Sequence, residues 1–165
     1  MPVRIERAVE RDIPLVLEFI RKLAEYERLS HRVSATEEDL RTALFGERPV
    51  AGVLLAYSDK EPAGFAVYFQ SFSTFLCRSG IYLEDLFVEP RYRRAGIGTV
   101  LMAAVAKLAV ERGGILTWSF LKWNQPAIDF YSGLGAVESA DWSGYKLAGE
   151  ALERAAKLAP AITPR

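Results

Sequence analysis

Apolar and polar positions in the first third of the chain follow two different spacings. Alternating apolar and charged residues at positions 3–7 predict a first strand. Apolar residues at helical spacing, with Pro14 in the first turn, predict a helix over about 12–27. A capping box at Thr36–Asp39 predicts a second helix, which Gly46 ends.

Short apolar runs bounded by turn residues predict strands in the middle of the chain. These runs cover 50–57, 63–71 and 81–88, with a turn at 58–62 and a loop at 72–80. A long helix is predicted next, over Thr99–Arg112. Its predicted buried stripe consists of Val100, Leu101, Ala104, Val105 and Leu108.

The last third of the chain predicts a strand over 115–121 and a short helix from Asn124 to Gly135. Two short strands are predicted near 136–139 and 145–148, before a helical tail from Glu150. The order β-α-α-β-β-β-α-β-α-β-β indicates an α/β (α+β) fold, a mixed sheet with helices on both faces. Because no linker interrupts the chain, we expect a single domain over 1–159 and a frayed tail over 160–165.

Composition excludes several classes of function. Lys plus Arg equals Asp plus Glu at 21 each, which argues against nucleic acid or an acidic membrane surface as partner. Cys77 is the single cysteine and His31 the single histidine, so we expect neither a disulfide nor a metal site. The sequence shows no signal-peptide core and no membrane-spanning run, so we expect a cytoplasmic protein.

The segment Arg93-Arg94-Ala95-Gly96-Ile97-Gly98 joins a predicted strand to a predicted helix. Glycines let the backbone approach a ligand, and a helix start presents unpaired amide groups, so this segment predicts a phosphate site. The following Thr99-Val100-Leu101 fits neither a P-loop nor a dinucleotide fingerprint. On these six residues alone, a surface loop flanked by arginines is the alternative.

The order of strand, Arg-x-x-Gly-x-Gly, helix, strand, Asn and Tyr resembles the GNAT N-acetyltransferases. Further segments are similar to the diamine (spermidine/spermine) and thialysine acetyltransferase branch of that superfamily. They are Leu23–Glu27, Tyr82–Val88, Trp123–Tyr131, Leu134–Ala136 and Gly149–Ala151. The resemblance implies a mostly antiparallel twisted sheet, a homodimer, and transfer of an acetyl group from acetyl-CoA to a small primary amine.

The resemblance also assigns residues to the cofactor. It implies that the loop amides of Arg94, Ala95, Gly96, Ile97, Gly98 and Thr99 hold the pyrophosphate, and Arg93 beside them is a further cofactor-binding residue. The backbone of Leu86, Phe87 and Val88 is expected to pair with the pantetheine arm. Asn124, Pro126, Ala127 and Tyr131 match further cofactor positions, and Tyr131 matches the family's proposed proton donor.

Acceptor residues are expected on other elements. The resemblance assigns Tyr26, Glu27 and Glu84 to the amine substrate, and Asp85, Trp118 and Tyr145 are further candidates. Glu84 and Asp85 are adjacent on a predicted strand, so we expect them to project to opposite faces. We favour Glu84 as the catalytic group, acting through water or by holding the substrate cation, with a structural role as the alternative. For Asp85 a structural role is favoured over contact with the substrate.

The sequence departs from the branch at Ser143-Gly144-Tyr145, where an acidic residue, glycine and tryptophan are typical. Loss of this acid makes a lysine-like amino acid as good a candidate as a polyamine, and Lys122 could favour a substrate carboxylate. Acetylation of a protein lysine or N-terminus is the alternative enzyme function. A non-catalytic acyl-CoA-binding regulatory module is the alternative outside enzymes.

Overall fold

A five-stranded sheet in the order β1-β2-β3-β4-β5 organises the first unit of the computed structural model, residues 1–119. The second unit comprises residues 120–165, and the structure describes residues 3–139 and 141–160. The strands are β1 (Val3–Arg7), β2 (Gly52–Ser58), β3 (Glu61–Ser73), β4 (Arg78–Val88) and β5 (Leu116–Trp118). The helices of the first unit are α1 (Ile13–Tyr26), α2 (Glu37–Phe45) and α3 (Ile97–Arg112), and those of the second are α4 (Gln125–Gly133) and α5 (Gly149–Ala156).

The sheet is mostly antiparallel, as the family resemblance implied. Strands β1 to β4 pair antiparallel with their neighbours, and β4 and β5 pair parallel. Four consecutive residues of β2, at 53–56, are buried, as are four of β3, at 63–66. Consecutive burial requires cover on both faces of a sheet, so the predicted α/β fold class is confirmed.

Helix α1 covers one face through an apolar stripe at helical spacing. Phe19 lies at the centre of this layer, with its ring centre 5.4 Å from that of Phe65 and 5.8 Å from that of Phe87. All three side chains are buried. Such aromatic contacts add to burial of apolar area and fix α1 against β3 and β4.

Helix α3 contacts β3 and β4 through a stripe that differs from the predicted one. The helix begins at Ile97, two residues earlier than predicted, and its buried residues are Ile97, Leu101, Met102, Val105 and Ala109. Val100 is exposed. The prediction was wrong there because an i, i+4 ridge that starts at Ile97 leaves Val100 on another side of the helix.

Two other local predictions were wrong. The loop predicted over 72–80 is a turn at 74–77, since β3 and β4 stay paired as far as Ser73 and Arg78. The strands predicted near 136–139 and 145–148 do not form. Where residues 120–160 are described, they form two helices and no strand, so neither segment has a neighbour to pair with inside its unit.

The single-domain boundaries at 1–159 stay a prediction, and most of the predicted tail, residues 161–165, lies outside the described residues. None of the helices in the described ranges is both long enough and apolar enough to cross a bilayer.

Candidate active site

A β-bulge in β4 sets the direction of two adjacent carboxylates. Tyr68 of β3 pairs with Leu83 and the neighbouring Val67 pairs with Asp85, so Glu84 has no counterpart on β3. Facing residues of paired strands share a face of the sheet, so Asp85 lies on the face of Val67. Val67 packs against the core beneath α1. The bulge therefore turns the half-buried Asp85 toward the α1 side and leaves Glu84 exposed.

The C-terminal end of α1 brings a third carboxylate to this face. Tyr26 is the last residue of α1, and Glu27 caps it with its amide bonded to the Leu23 carbonyl oxygen at 2.9 Å. No basic residue lies in the last turn of α1. A helix C-terminus carries partial negative charge, so a carboxylate there is placed against the usual preference. Burial raises the pKa of the half-buried Glu27.

Asp85 titrates near neutral pH because of these surroundings. Burial, followed by the negative charges of Glu84 and Glu27, raises the pKa of Asp85 to about 7. The charges of Glu84 and Glu27 therefore reach Asp85, and the three side chains form one acidic cluster, which we call the carboxylate cluster. A carboxylate with such a pKa can accept a proton from a substrate near neutral pH.

Among the described residues of the first unit, one edge of β4 has no strand paired to it beside the carboxylate cluster, and we call it the open edge. Pairing with β5 ends at Leu83 and Trp118, whereas β4 continues to Val88. The Glu89 amide donates to the Ala63 carbonyl oxygen at 2.9 Å, so the backbone groups of Glu89 point toward β3. Those of Phe87, two residues earlier in the chain, point the same way. Leu86 and Val88 consequently direct theirs toward the open edge. An extended ligand can pair with these groups as an added strand would.

The loop after β4 presents amide groups at the start of α3. Arg94 and Gly96 have positive φ, 64° and 80°, and Gly96 caps the helix. The first intrahelical bond comes from the Val100 amide to the Gly96 carbonyl oxygen at 3.0 Å. The amides of 97–99 therefore lack helical partners, as at any helix start. A Cβ at Gly96 would meet no atom within 4 Å, so a ligand can approach the backbone at this cap, and the unpartnered amides that follow it suit a phosphate group.

Arg93 is engaged on the side of α1. Its Nε donates to the Val88 carbonyl oxygen at 3.0 Å, and its guanidinium carbon lies 4.7 Å from the ring centre of Tyr26. Arg94 and Ala95 are exposed. Of the two arginines predicted to serve the pyrophosphate, Arg94 is therefore the one whose side chain is exposed without such contacts.

The second unit holds Asn124 and Tyr131. Asn124 caps α4, with its Oδ1 accepting from the Ala127 amide at 3.4 Å, and Pro126 lies in the first turn. Asn124 is buried, and the half-buried Tyr131 packs its ring 5.3 Å from that of Phe130. Asn124 thus has a structural role as the N-cap of α4, and the cofactor roles of both residues stay predictions.

The two remaining acceptor candidates differ in their surroundings. Trp118 is the last residue of β5 and is half-buried at the point where the β4 edge opens. Tyr145 is exposed and belongs to no helix or strand. Trp118 is thus placed within the first unit beside the open edge, and the role of Tyr145 stays a prediction.

An ion pair that the sequence reasoning missed holds α1 to the end of β4. Lys22 contacts Glu18 at 2.6 Å and also Glu89, which directly follows β4. Both hydrogen bonds raise the pKa of Lys22. The i, i+4 spacing of Glu18 and Lys22 was visible in the sequence, but the contact with Glu89 joins residues far apart in the chain.

The sequence model of the Acetyltransferase (GNAT) family matches residues 18–136. The chain belongs to this family. The matched range contains residues 18–26 of α1, the open β4 edge, the phosphate-site loop and α4. GNAT acetyltransferases use acetyl-CoA as the acetyl donor, and the amides of 97–99 with the open edge at 86 and 88 fit its pyrophosphate and its extended arm.

Relatives of known activity extend this finding. Over 93% of this chain and 97% of the relative, the sequence is 40% identical to a thialysine N-epsilon-acetyltransferase of Bos taurus. It is 31% identical to an L-ornithine N5-acetyltransferase of Arabidopsis thaliana, over 94% of this chain and 88% of that protein. A solved integron cassette protein from the mobile metagenome of V. cholerae superposes with a TM-score of 0.78 at 28% identity, covering 95% of this chain and 99% of the other. This GNAT chain is an N-acetyltransferase, and acetyl transfer to a small amine is supported.

Proposed function

We propose that this acetyltransferase acetylates the side-chain amine of a small basic amino acid, of the thialysine or ornithine kind, with acetyl-CoA as donor. The carboxylate cluster of Glu27, Glu84 and Asp85 is the observation that carries the proposal. It combines three acidic side chains with the negative end of α1, on a chain whose net charge is zero. Local rather than net charge attracts a small cation, and the named substrates of the two relatives are amines of this kind.

Asp85 is the proposed base. A free ammonium group has a pKa near ~10 and must lose a proton before its nitrogen can attack. Transfer to a carboxylate with a pKa of about 7 costs about 4 kcal/mol, and transfer to an ordinary carboxylate costs about 8 kcal/mol. The burial that raises the pKa of Asp85 therefore removes about half of this cost. Glu84, exposed at the bulge, is the better candidate for holding the substrate cation.

Other groups complete the reaction. Bound acetyl-CoA supplies the acetyl group as a thioester, which the neutral amine attacks to form the C–N bond as the C–S bond breaks. The Leu86 and Val88 amides, directed to the open edge, are the proposed donors to the carbonyl oxygen as its charge grows. Tyr131 is the proposed donor of a proton to the departing sulfur, a role that rests on the family resemblance, and the proton that the nitrogen releases as the amide forms replaces the one that Tyr131 gives.

A thiol-release assay tests the substrate. The protein and acetyl-CoA are mixed with thialysine, ornithine, lysine, putrescine, spermidine and a lysine-containing peptide in turn. We expect the free amino acids to give the highest kcat/KM. Higher values for the carboxylate-free amines would reject the amino-acid proposal, preference for the peptide would favour a protein acetyltransferase, and no release with any amine would favour a binding module.

The pH dependence tests the base. Because Asp85 must be deprotonated to act, kcat/KM for the best amine should rise through pH 7 and then level off. Asp85→Asn should lower kcat/KM by about 100-fold or more and remove this inflection. Glu84→Gln is the matched control and should raise the KM for the amine while it retains the inflection, moved to lower pH because the Glu84 charge helps to raise the pKa of Asp85. The assignment fails if Glu84→Gln abolishes the inflection and Asp85→Asn keeps it.

Assembly and location also stay predictions, the first from the family resemblance and the second from the sequence itself. We expect a homodimer, which sedimentation equilibrium of the full chain would detect as a species of twice the 18.4 kDa chain mass. We expect the protein in the cytoplasm, which fractionation of the source cells would test.

A further inference from the structure

The side chain of Arg93 joins two parts of the site that lie on different elements. Its Nε donates to the Val88 carbonyl oxygen at 3.0 Å, at the end of the open edge of β4. Its guanidinium carbon lies 4.7 Å from the ring centre of Tyr26, the last residue of α1, and 5.8 Å from that of Phe87. One side chain thus contacts the strand edge and the helix end that carries Glu27.

These contacts orient the guanidinium of the exposed Arg93 side chain. The hydrogen bond uses Nε, and the Tyr26 ring covers the planar guanidinium at a distance typical of a cation–π interaction. The same bond occupies the Val88 carbonyl oxygen, one of the groups that β4 directs to its open edge. A guanidinium held in this way is directed to the end of α1 and the end of β4, which favours a role there over a role at the phosphate-site loop.

We propose that Arg93 is a positioning residue that fixes the end of α1, with Glu27, against the open edge of β4, and that it is not a pyrophosphate ligand. The proposal rests on the proposed function only in calling the end of α1 the acceptor side and the open edge of β4 the donor side. Arg93 holds Tyr26 and Val88 together, and Glu27 follows Tyr26 directly. Loss of Arg93 should therefore disturb the acceptor side and spare donor binding.

Arg94 provides the matched control for this proposal. It is the next residue, has the same side chain, is exposed, and has a backbone φ of 64° at the phosphate-site loop. Replacing a cation that contacts a phosphate should weaken binding of coenzyme A about 10-fold. We therefore expect Arg94→Gln to weaken coenzyme A binding by that factor, and Arg93→Gln to change it less than 3-fold, by titration calorimetry with free coenzyme A.

Steady-state kinetics test the contact between Arg93 and Tyr26. Arg93→Gln should lower kcat/KM for the amine about 10-fold, the combined effect of a hydrogen bond and a cation–π contact, and leave the KM for acetyl-CoA unchanged. Tyr26→Leu should cause a similar loss, and the double variant Arg93→Gln/Tyr26→Leu should be no worse than either. Additive losses in the double variant would mean that the two side chains do not act together.

Hydrogen exchange tests the arrangement without any substrate. The amides of 23–29 should exchange faster in Arg93→Gln and Tyr26→Leu than in the unchanged protein. They should keep their protection in Arg94→Gln and in Tyr26→Phe, which retains the ring. Because this readout needs no acetyl transfer, it remains decisive if no amine is acetylated. The proposal is overturned if Arg93→Gln weakens coenzyme A as much as Arg94→Gln does and leaves this exchange unchanged.

Discussion

Asp85→Asn should make the protein more stable at neutral and alkaline pH while it removes the proposed base. The folded protein holds the pKa of Asp85 at about 7, above its ordinary value of 3.8, because of burial and the charges of Glu84 and Glu27. A raised carboxylate pKa means that folding favours the protonated form. The stabilisation that the protonated Asp85 gives the folded state is complete below pH 4 and is lost as the pH rises through 7. Asparagine carries no charge and avoids this loss.

The size of the effect follows from the two pKa values. A rise of the Asp85 pKa from 3.8 to about 7 means that ionisation of this side chain lowers the free energy of unfolding by about 4 kcal/mol. The asparagine amide introduces a half-buried donor, which costs about 1–2 kcal/mol if it stays unpaired. We therefore expect a net gain of about 2–3 kcal/mol at pH 8. For a chain of this size the Tm should rise by about 5–10 °C.

Thermal unfolding at pH 4 and pH 8 measures this gain. Asp85→Asn should raise the Tm at pH 8 and leave it unchanged or lower at pH 4, where Asp85 is close to neutral. Asp59→Asn is the matched control, since it makes the same chemical change at a turn with φ of 56°, a conformation that asparagine tolerates. An equal shift at both pH values, or a lower Tm at pH 8, would refute the argument that Asp85 is held near neutrality by its surroundings.

Four further substitutions test other parts of the site. Gly96→Ala places a Cβ on a residue with φ of 80°, so it should lower the free energy of unfolding by about 1–2 kcal/mol and weaken coenzyme A binding in calorimetry. Unchanged affinity would contradict the assignment of this loop to the phosphate site. Gly64→Ala would press a Cβ against the Phe87 carbonyl oxygen, so urea unfolding should show a loss of at least about 2 kcal/mol, and a neutral effect would contradict the close packing of β3 on β4. Lys22→Met removes the cation beside Glu89 and should lower the free energy of unfolding by about 1 kcal/mol in the same assay. High salt should weaken the ion pair in the unchanged protein and so reduce this difference, and a difference that does not depend on salt would count against the ion pair. Tyr131→Phe should lower turnover and keep coenzyme A affinity, and equal turnover would remove its role as acid.

Local patterns predicted most of the fold because they depend on residues close in the chain. The capping box at Thr36–Asp39 forms as predicted, with the Asp39 amide donating to the Thr36 hydroxyl at 3.2 Å. The phosphate-site loop was likewise visible in its glycines. In contrast, the strands predicted at 136–139 and 145–148 had suitable residues but no neighbouring strand within their unit. Alternation shows that a segment can form a strand, and pairing decides whether it does.

The features of the site that were missed depend on contacts between distant parts of the chain. The bulge at Glu84 is defined by the register of β3 against β4, and a single strand carries no sign of it. In a regular strand Asp85 would lie on the same face of the sheet as Leu83. The extra residue at the bulge places Asp85 on the face of Val67 instead. Arg93 was assigned to the phosphate site from its neighbours in sequence, and its contact with Tyr26 spans more than sixty residues. These two features decide which carboxylate is half-buried and which arginine contacts Tyr26.

The order of causes behind the raised pKa of Asp85 matters for catalysis. A cationic substrate that docks among Glu27, Glu84 and Asp85 neutralises the repulsion between them, and this alone would lower the pKa of Asp85 when a base is needed. Burial is the largest cause, however, and the arrival of a substrate increases it because water is displaced. A base whose pKa depended only on neighbouring carboxylates would lose its advantage on binding a cation. Because the bulge places Asp85 in a half-buried position under α1, the chain can use negative charge to attract the amine and burial to keep a base strong enough to deprotonate it.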